Sequence, residues 1–272
     1  MNGKPKSAKR SSTQTMWPVV LAGIMVVVSG VSLVPHAQAQ GGDANKILKT
    51  MTSYVASQKT LSITFDSDIE VITDKLLKIQ FTSSGQVQLS RPDKLRATRT
   101  GGYKDIEIVF DGKSFTLNDK DSNGFAQIEL SGSVDQLVDV LRDKHGVIAP
   151  GADLLLTNAF DVMMADVIES AHIGKGVIDG VECEHLAFRN VDTDWQIWIE
   201  TGARPIPRKY VITSKGVAAA PQYTLRIKEW RTDVPSDAFA FKPAEGAKKV
   251  ALVELSDIDE VPQGIATTGG KK

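Results

Sequence analysis

Apolar and polar residues alternate with a period of two along residues 179–213, which predicts three consecutive antiparallel strands. Asp179-Gly180 separates two apolar-rich runs and is a dipeptide typical of tight hairpin turns. Trp195 and Trp198 fall at positions of opposite parity in the second strand, so they are predicted to lie on opposite faces. Residues 202–207 contain two prolines and end that strand, because proline cannot donate to a ladder. A sheet with bulky groups on both faces needs cover on both faces, or a ligand on one.

The same alternation predicts strands on both sides of this central stretch. A Ser-Gly pair at 84–85 is interpreted as a break between two short strands, and the apolar run 250–255 as an added edge strand. The remaining predicted strands are residues 61–71, 77–81, 87–89, 95–100, 106–110, 115–117, 125–130, 222–231 and 239–241.

Three segments have helical spacing instead. Asp43 is predicted to cap a helix whose apolar stripe includes Leu48 and Met51. Ser133 and Gln136 form a capping box at the start of a second helix. Residues 154–167 are dense in Leu, Phe and Met, and predict a loop followed by a short helix at about 158–168. Because methionine is adaptable, this last segment suits either a core or a binding surface.

Composition and charge narrow the function classes. The chain has 272 residues, 42% of them hydrophobic, and no internal repeat or linker, which indicates one domain. The formal net charge is −1, and it becomes −5 without the four basic residues of segment 1–39. A mildly acidic protein lacks the basic face that nucleic acid requires. Cys183 is the only cysteine, so no internal disulfide can form.

The amino-terminal segment predicts export. Four basic residues precede an apolar run at 17–34, and Ala37-Gln38-Ala39 fits a small-residue cleavage site. We expect residues 1–39 to be a signal peptide cut after Ala39, which places the protein in the periplasm. The alternative is an uncleaved anchor, since the run reaches the lower length limit of a spanning helix.

Candidate catalytic and metal-binding patterns are weak. Residues 118–124 look like a calcium loop but lack the EF-hand spacing, so a solvated hairpin tip is the better interpretation. Cys183, His185, His172 and Glu184 are candidate zinc ligands. Cys183 and His185 would point the same way from one strand, but a third ligand is not identified. Ser131-Gly132-Ser133 lacks the frame of a nucleophile elbow. The sequence therefore predicts neither a cofactor, nor a metal, nor an enzyme.

Three motifs carry a family resemblance. Residues 194–199 read DWQIWI, residues 204–209 read RPIPRK, and residues 239–246 read FAFKPAEG. From about residue 44 to 250 the chain resembles the LolA/LolB-like superfamily of bacterial lipoprotein carriers, and more closely the DUF2092 family of predicted periplasmic proteins. In that superfamily the third motif corresponds to the closing strand and its turn.

The resemblance implies an α+β, mainly β fold: a strongly curved antiparallel sheet that forms an unclosed barrel covered by helices. It divides the chain into a signal peptide (1–39), a LolA-like domain (40–247) and a C-terminal edge segment with a disordered tail (248–272). It implies a non-enzymatic carrier that holds a lipid, acyl chain or lipoprotein in an apolar cavity, with cell-envelope proteins as candidate partners. The alternative is a structural or regulatory envelope protein whose sheet is filled by its own side chains. The predicted cavity residues are Ile63, Phe65, Ile79, Phe81, Ile108, Phe110, Leu155, Phe160, Met163, Met164, Trp195 and Trp198.

Overall fold

A computed structural model describes residues 37–145, 147, 149–255, 259–262 and 265. Most of the predicted signal peptide and much of the predicted tail lie outside these residues. The helices are α1 (Ala37–Ser57), α2 (Val134–His145) and α3 (Ala159–Met164), with 3-10 turns at Ala152–Leu155 and Leu252–Leu255. The strands are β1 (Thr60–Ile72), β2 (Lys78–Ser90), β3 (Lys94–Gly101), β4 (Asp105–Phe110), β5 (Ser114–Asp119), β6 (Gly124–Glu129), β7 (Glu169–Ile178), β8 (Val181–Arg189), β9 (Thr193–Glu200), β10 (Pro207–Ser214), β11 (Gln222–Arg231) and β12 (Lys248–Lys249).

All twelve strands of the described residues form one curved sheet that does not close. Their order is β12-β6-β5-β4-β3-β2-β1-β11-β10-β9-β8-β7. Neighbours are antiparallel except at one edge, where β12 runs parallel to β6. The long β1 pairs with both β2 and β11 and so joins the two halves of the sheet. The mainly β, half-barrel architecture expected from the sequence is confirmed.

Alternation along the strands separates an inner face from an outer one. Leu61 pairs with Leu89 in the register of β1 and β2, and both side chains are fully buried on the inner face. Helix α1 lies over this face, where its Leu48, Met51 and Val55 are also fully buried. The predicted stripe of α1 is therefore the side that closes the core. Burial of each large apolar side chain stabilises the fold by roughly 1.5–3 kcal/mol.

The predicted break at 84–85 is wrong, because β2 is one continuous strand. Gly85 does not turn the chain; it makes room on the inner face. A Cβ atom at this position would lie 2.4 Å from the ring of Phe65 on the neighbouring strand. The glycine is therefore explained by the close approach of that ring.

The predicted closing strand at 239–241 is also wrong. This segment crosses the outer side of the sheet. There the ring of Phe241 lies tilted against Phe125, with 5.2 Å between ring centroids, and the carbonyl of Ala238 accepts a 2.9 Å hydrogen bond from Arg96. The backbone edge of β6 is used by β12, at Lys248–Lys249, just before the predicted edge strand 250–255. Residues 252–255 instead form a 3-10 turn.

One helix start is confirmed and one is wrong. Ser133 and Gln136 exchange the hydrogen bonds of a capping box at α2: the backbone N–H of Ser133 donates to Gln136 Oε1 at 2.8 Å, and that of Gln136 donates to Ser133 Oγ at 3.2 Å. Asp43, however, lies inside α1, which already begins at Ala37. An acceptable capping residue is thus not sufficient evidence for a helix start.

Candidate functional site

The inner face changes from fully buried to half-buried along β1 and β2. Near the start of β1, Leu61 and Ile63 are covered by helices. Farther along the same face, Ile69 lies opposite Phe81, and both remain half-buried. An apolar strip therefore continues beyond the area that the helices cover. It is continued by Val71, Ile79 and Phe65.

The structure brings most of the predicted cavity residues to this inner side. Ile63, Phe110 and Trp195 are buried in the core, whereas Phe65, Ile79, Phe81 and Ile108 are half-buried. Trp198 is different, because it lies on the outer face. The remaining four belong to the segment that covers the sheet: Leu155, Phe160, Met163 and Met164.

The covering segment 152–168 is held to its surroundings by polar contacts as well as packing. Arg91 donates to the carbonyl of Leu155 at 2.7 Å, and Arg142 pairs with Asp153 at 2.5 Å. Met163 is 7% exposed and belongs to the core, while Met164 is half-buried. The two methionines are therefore not equivalent, and only Met164 has the partial exposure expected of an adaptable surface.

The two tryptophans of β9 lie on opposite faces, as predicted. Trp195 is 4% exposed, stacks on Phe188 at 3.9 Å and donates from Nε1 to Asn190 at 3.2 Å. Trp198 stacks on His185 at 4.1 Å, and the ammonium of Lys209 lies 4.8 Å from its ring centroid. Trp195 is part of the core, and Trp198 is part of a half-buried outer patch.

A polar cluster interrupts the apolar inner face. It consists of Ser67, Ser83, Arg99 and Tyr223, and we call it the Arg99 cluster. Register places Ser67 of β1 opposite Ser83 of β2. Arg99 of β3 lies on the same face, opposite Gly85, which is two residues beyond Ser83. The carboxylate of Glu260 enters the cluster: it lies 3.5 Å from Arg99 Nη1 and accepts from Ser83 Oγ at 3.3 Å and from Ser67 Oγ at 3.5 Å.

Burial perturbs the titration of this cluster. Desolvation lowers the pKa of the Arg99 guanidinium, and the nearby carboxylate of Glu260 opposes that shift. Burial raises the pKa of Tyr223, and the charge of Glu260 adds to the effect. Both shifts indicate a site that is largely withdrawn from water. The sequence interpretation missed this cluster, because alternation does not mark a polar strand residue as facing inward.

A second concave region lies between α1 and the ends of β7, β8 and β9. It is an open cleft of about 420 Å³. His172 and Glu184 line it and are joined by a 2.7 Å contact between Nε2 and Oε2. The other lining residues are Asp43, Lys46, Ile47, Thr50, Ile199, Glu200, Thr201, Gly202 and Pro205. Charged side chains, among them Lys46, Glu184 and Glu200, line part of this cleft.

The candidate metal ligands have other partners. His172 contacts Glu184, and His185 contacts Gln196 at 2.9 Å. Cys183 is fully buried, and burial raises the pKa of its thiol, which disfavours the thiolate that binds zinc. Within the described ranges, no group of three or more His, Cys, Asp or Glu side chains is placed to hold a metal ion.

Comparison with known proteins decides the family. The model of a family described as predicted periplasmic proteins, DUF2092, matches residues 44–253. The chain belongs to the DUF2092 family. This membership confirms the resemblance found in the sequence. Across residues 37–145, 147, 149–255, 259–262 and 265, no helix combines the length and apolar character needed to cross a membrane.

Other similar proteins are more distant. An uncharacterized protein of Methanocaldococcus jannaschii is 24% identical over 233 residues, which is 82% of this chain and 59% of that protein. The crystal structure of Mycobacterium tuberculosis lipoprotein LppX has a TM-score of 0.45 and 14% identity, and covers 72% of this chain and 99% of the other. A LolA superfamily protein from Nitrosomonas europaea has a TM-score of 0.29 and 11% identity, with coverages of 73% and 97%.

Proposed function

We propose that this DUF2092 protein is a non-enzymatic binding protein of the cell envelope that holds a long apolar chain against the inner face of its sheet. The observation that carries this proposal is the half-buried strip around Ile69 and Phe81, which extends beyond the cover supplied by the helices. Burial of apolar surface stabilises a complex by ~25 cal/mol per Å². An acyl chain lying along several such side chains is therefore a favourable ligand.

Export belongs to the same proposal. Residues 1–39 act as a signal peptide that is removed after Ala39, residues 40–247 form the half-barrel domain, and residues 248–272 form the C-terminal segment. The family description as predicted periplasmic proteins supports this location. Amino-terminal sequencing of protein isolated from the periplasm is expected to begin at Gln40. A sequence that begins upstream in a membrane fraction would support an anchor instead.

A structural envelope protein is the second candidate, and one observation favours it. Leu48, Met51 and Val55 of α1 already fill the deepest part of the inner face. The cleft beside α1 and a second cleft against segment 239–241 are both lined by residues outside the half-buried strip. A carrier whose ligand also enters this deepest part needs its cover to move, whereas a structural protein does not.

A titration with a fluorescent long-chain fatty acid separates the two candidates. We expect saturable binding by the wild type, and weaker binding by Phe81→Ala, because this change removes part of the half-buried strip. Gln80→Ala is the matched control, since Gln80 is exposed on the opposite face of the same strand. Binding that is absent from the wild type would favour the structural candidate. Equal loss in both variants would place the site elsewhere.

A further inference from the structure

The carboxylate of Glu260 occupies a position that an external anion can also take. We propose that the Arg99 cluster binds the anionic head group, a carboxylate or a phosphate, of an acyl-chain ligand, and that Glu260 occupies this site when the ligand is absent. This inference rests on the proposed function, because it assigns a head-group position to the same inner face.

The donors of the cluster converge on one point from different strands. Ser67 and Ser83 are 1% and 4% exposed, yet their hydroxyls both reach the carboxylate of Glu260. The Arg99 guanidinium approaches the other carboxylate oxygen. A cation and two buried hydroxyls on the inner side of a sheet are costly to bury without an anionic partner. Their convergence indicates a built anion site.

The Arg99 cluster lies directly beside the half-buried apolar strip, so one amphiphile could contact both. On the inner face Ser67 stands between Phe65 and Ile69, and Ser83 follows Phe81. Same-face neighbours on a strand are roughly 6.6 Å apart, which follows from a rise of about 3.3 Å per residue. A head group held by the serines would therefore lie next to apolar side chains, because neighbouring inner positions on both strands carry them. The chain of the ligand would lie along the half-buried strip.

Glu260 fills the site loosely. Its contacts with Arg99 Nη1, Ser83 Oγ and Ser67 Oγ are 3.3–3.5 Å long. Charge-assisted N–H···O bonds are typically about 2.7–2.9 Å, and O–H···O bonds to carboxylates are shorter still. A free carboxylate or phosphate is not constrained by the peptide chain and can approach more closely. Glu260 thus acts as an internal competitor whose effective concentration is set by its own segment.

Competition binding tests this assignment. The experiment measures displacement of a neutral probe, N-phenyl-naphthylamine, from the wild type and two variants. The competing ligands are a long-chain fatty acid, an alkyl phosphate and a fatty alcohol of the same chain length. Glu260→Gln is expected to tighten binding of the anionic ligands about tenfold and to leave the alcohol unchanged, because it removes the competing charge. Arg99→Gln is expected to weaken the anionic ligands about tenfold relative to the alcohol.

Two controls make the result specific. Glu245→Gln removes an exposed acid from the same C-terminal region and is expected to change nothing. Ser83→Ala removes one hydroxyl with little change in volume and keeps the test valid if Arg99→Gln does not fold. The ratio of carboxylate to phosphate affinity identifies the preferred head group.

The possible failures are distinguishable. If acid and alcohol bind alike to the wild type, Glu260→Gln and Ser83→Ala, the head-group site is wrong and the apolar binding function stands. If none of the three ligands displaces the probe, or if the probe itself does not bind, the proposed function is wrong. The head-group site is then wrong as well, because it rests on that function. A tightening by Glu260→Gln that includes the alcohol would show that Glu260 blocks the strip sterically, which also contradicts a charge-specific site.

Discussion

At the scale of single residues, the two tryptophans of β9 show how one strand divides its side chains between different environments. Trp195 combines burial, stacking on Phe188, an edge contact with Tyr210 and a satisfied indole N–H. Trp198 is only partly buried, packs on His185 and has the Lys209 ammonium over its ring. The residue type is the same, but the area removed from water differs. Stability should therefore respond differently to the two truncations.

Trp195→Ala is expected to lower the free energy of unfolding by ~3–5 kcal/mol, because it leaves a cavity in the core. Trp198→Ala is expected to cost about 1 kcal/mol, because a partly buried ring contributes less buried area than a core ring. Urea denaturation of the two variants, followed by far-UV circular dichroism, measures both values. Similar costs for the two variants would contradict the separation of faces described here.

The same strand shows what the sequence could and could not predict. Strict alternation was sufficient to place Trp195 and Trp198 on opposite faces, because period two is a property of any extended chain. Alternation was silent about the Arg99 cluster, since Ser67, Ser83 and Arg99 are polar residues at inner positions. Only the register of three strands, together with Glu260 some 190 positions away, shows that these side chains form one cluster.

At the scale of elements, the β5–β6 hairpin shows why a calcium-loop interpretation fails. Asp119 is 4% exposed, receives a 2.9 Å hydrogen bond from Lys104, and accepts from the backbone N–H of Asp121 at 3.1 Å. Burial alone would raise the pKa of Asp119, but the hydrogen bonds from Lys104 and Ser122 outweigh it and lower the pKa below its usual value. The carboxylate organises the turn and neutralises a lysine.

This arrangement predicts an acid-sensitive hairpin. A carboxyl whose pKa is lowered by folding stabilises the protein above its unfolded pKa of about 3.9, and this contribution is lost as the pH falls through the lower folded value. Asp119→Asn is expected to cost ~1–3 kcal/mol near neutral pH and to make stability less dependent on pH below about 4. Asp139→Asn, at an exposed position of α2, is the control and should change neither quantity. Urea denaturation across this pH range measures both effects.

The elements that sequence predicted well are those whose signals are local. The capping box at Ser133 needs only residues of one turn, and the strands β1, β9 and β11 are long enough for alternation to be clear. The segment 239–241 also alternates, yet it pairs with none of the described strands, because β12 takes the edge of β6. Competition between segments for one sheet edge is a tertiary property, and no local pattern contains it.

At the scale of the whole molecule, an unclosed sheet leaves its inner face dependent on the elements that lie over it. Helix α1 lies over the half of the sheet that ends in β7 and β8. Its amino-terminal half approaches β7 closely: a Cβ atom at Gly41 would be 3.3 Å from Ser170 Oγ, and this hydroxyl donates to the carbonyl of Gly41 at 3.4 Å. If a ligand extends from the half-buried strip into the area under the helices, α1 is the largest part of the cover that has to move.

A disulfide at this contact tests that requirement. Gly41→Cys combined with Ser170→Cys places two thiols at a separation close to disulfide geometry, in which a Cβ lies roughly 3 Å from the partner sulfur. Cys183 should not interfere, because it is fully buried and its thiol pKa is raised by burial. We expect the oxidised double variant to bind the fluorescent fatty acid more slowly than the wild type, and a reductant to restore the wild-type rate. Gly41→Cys alone, which cannot form this link, should be insensitive to reductant. Equal rates in the oxidised and reduced double variant would show that α1 stays in place during binding, and would assign the opening to segment 152–168 instead.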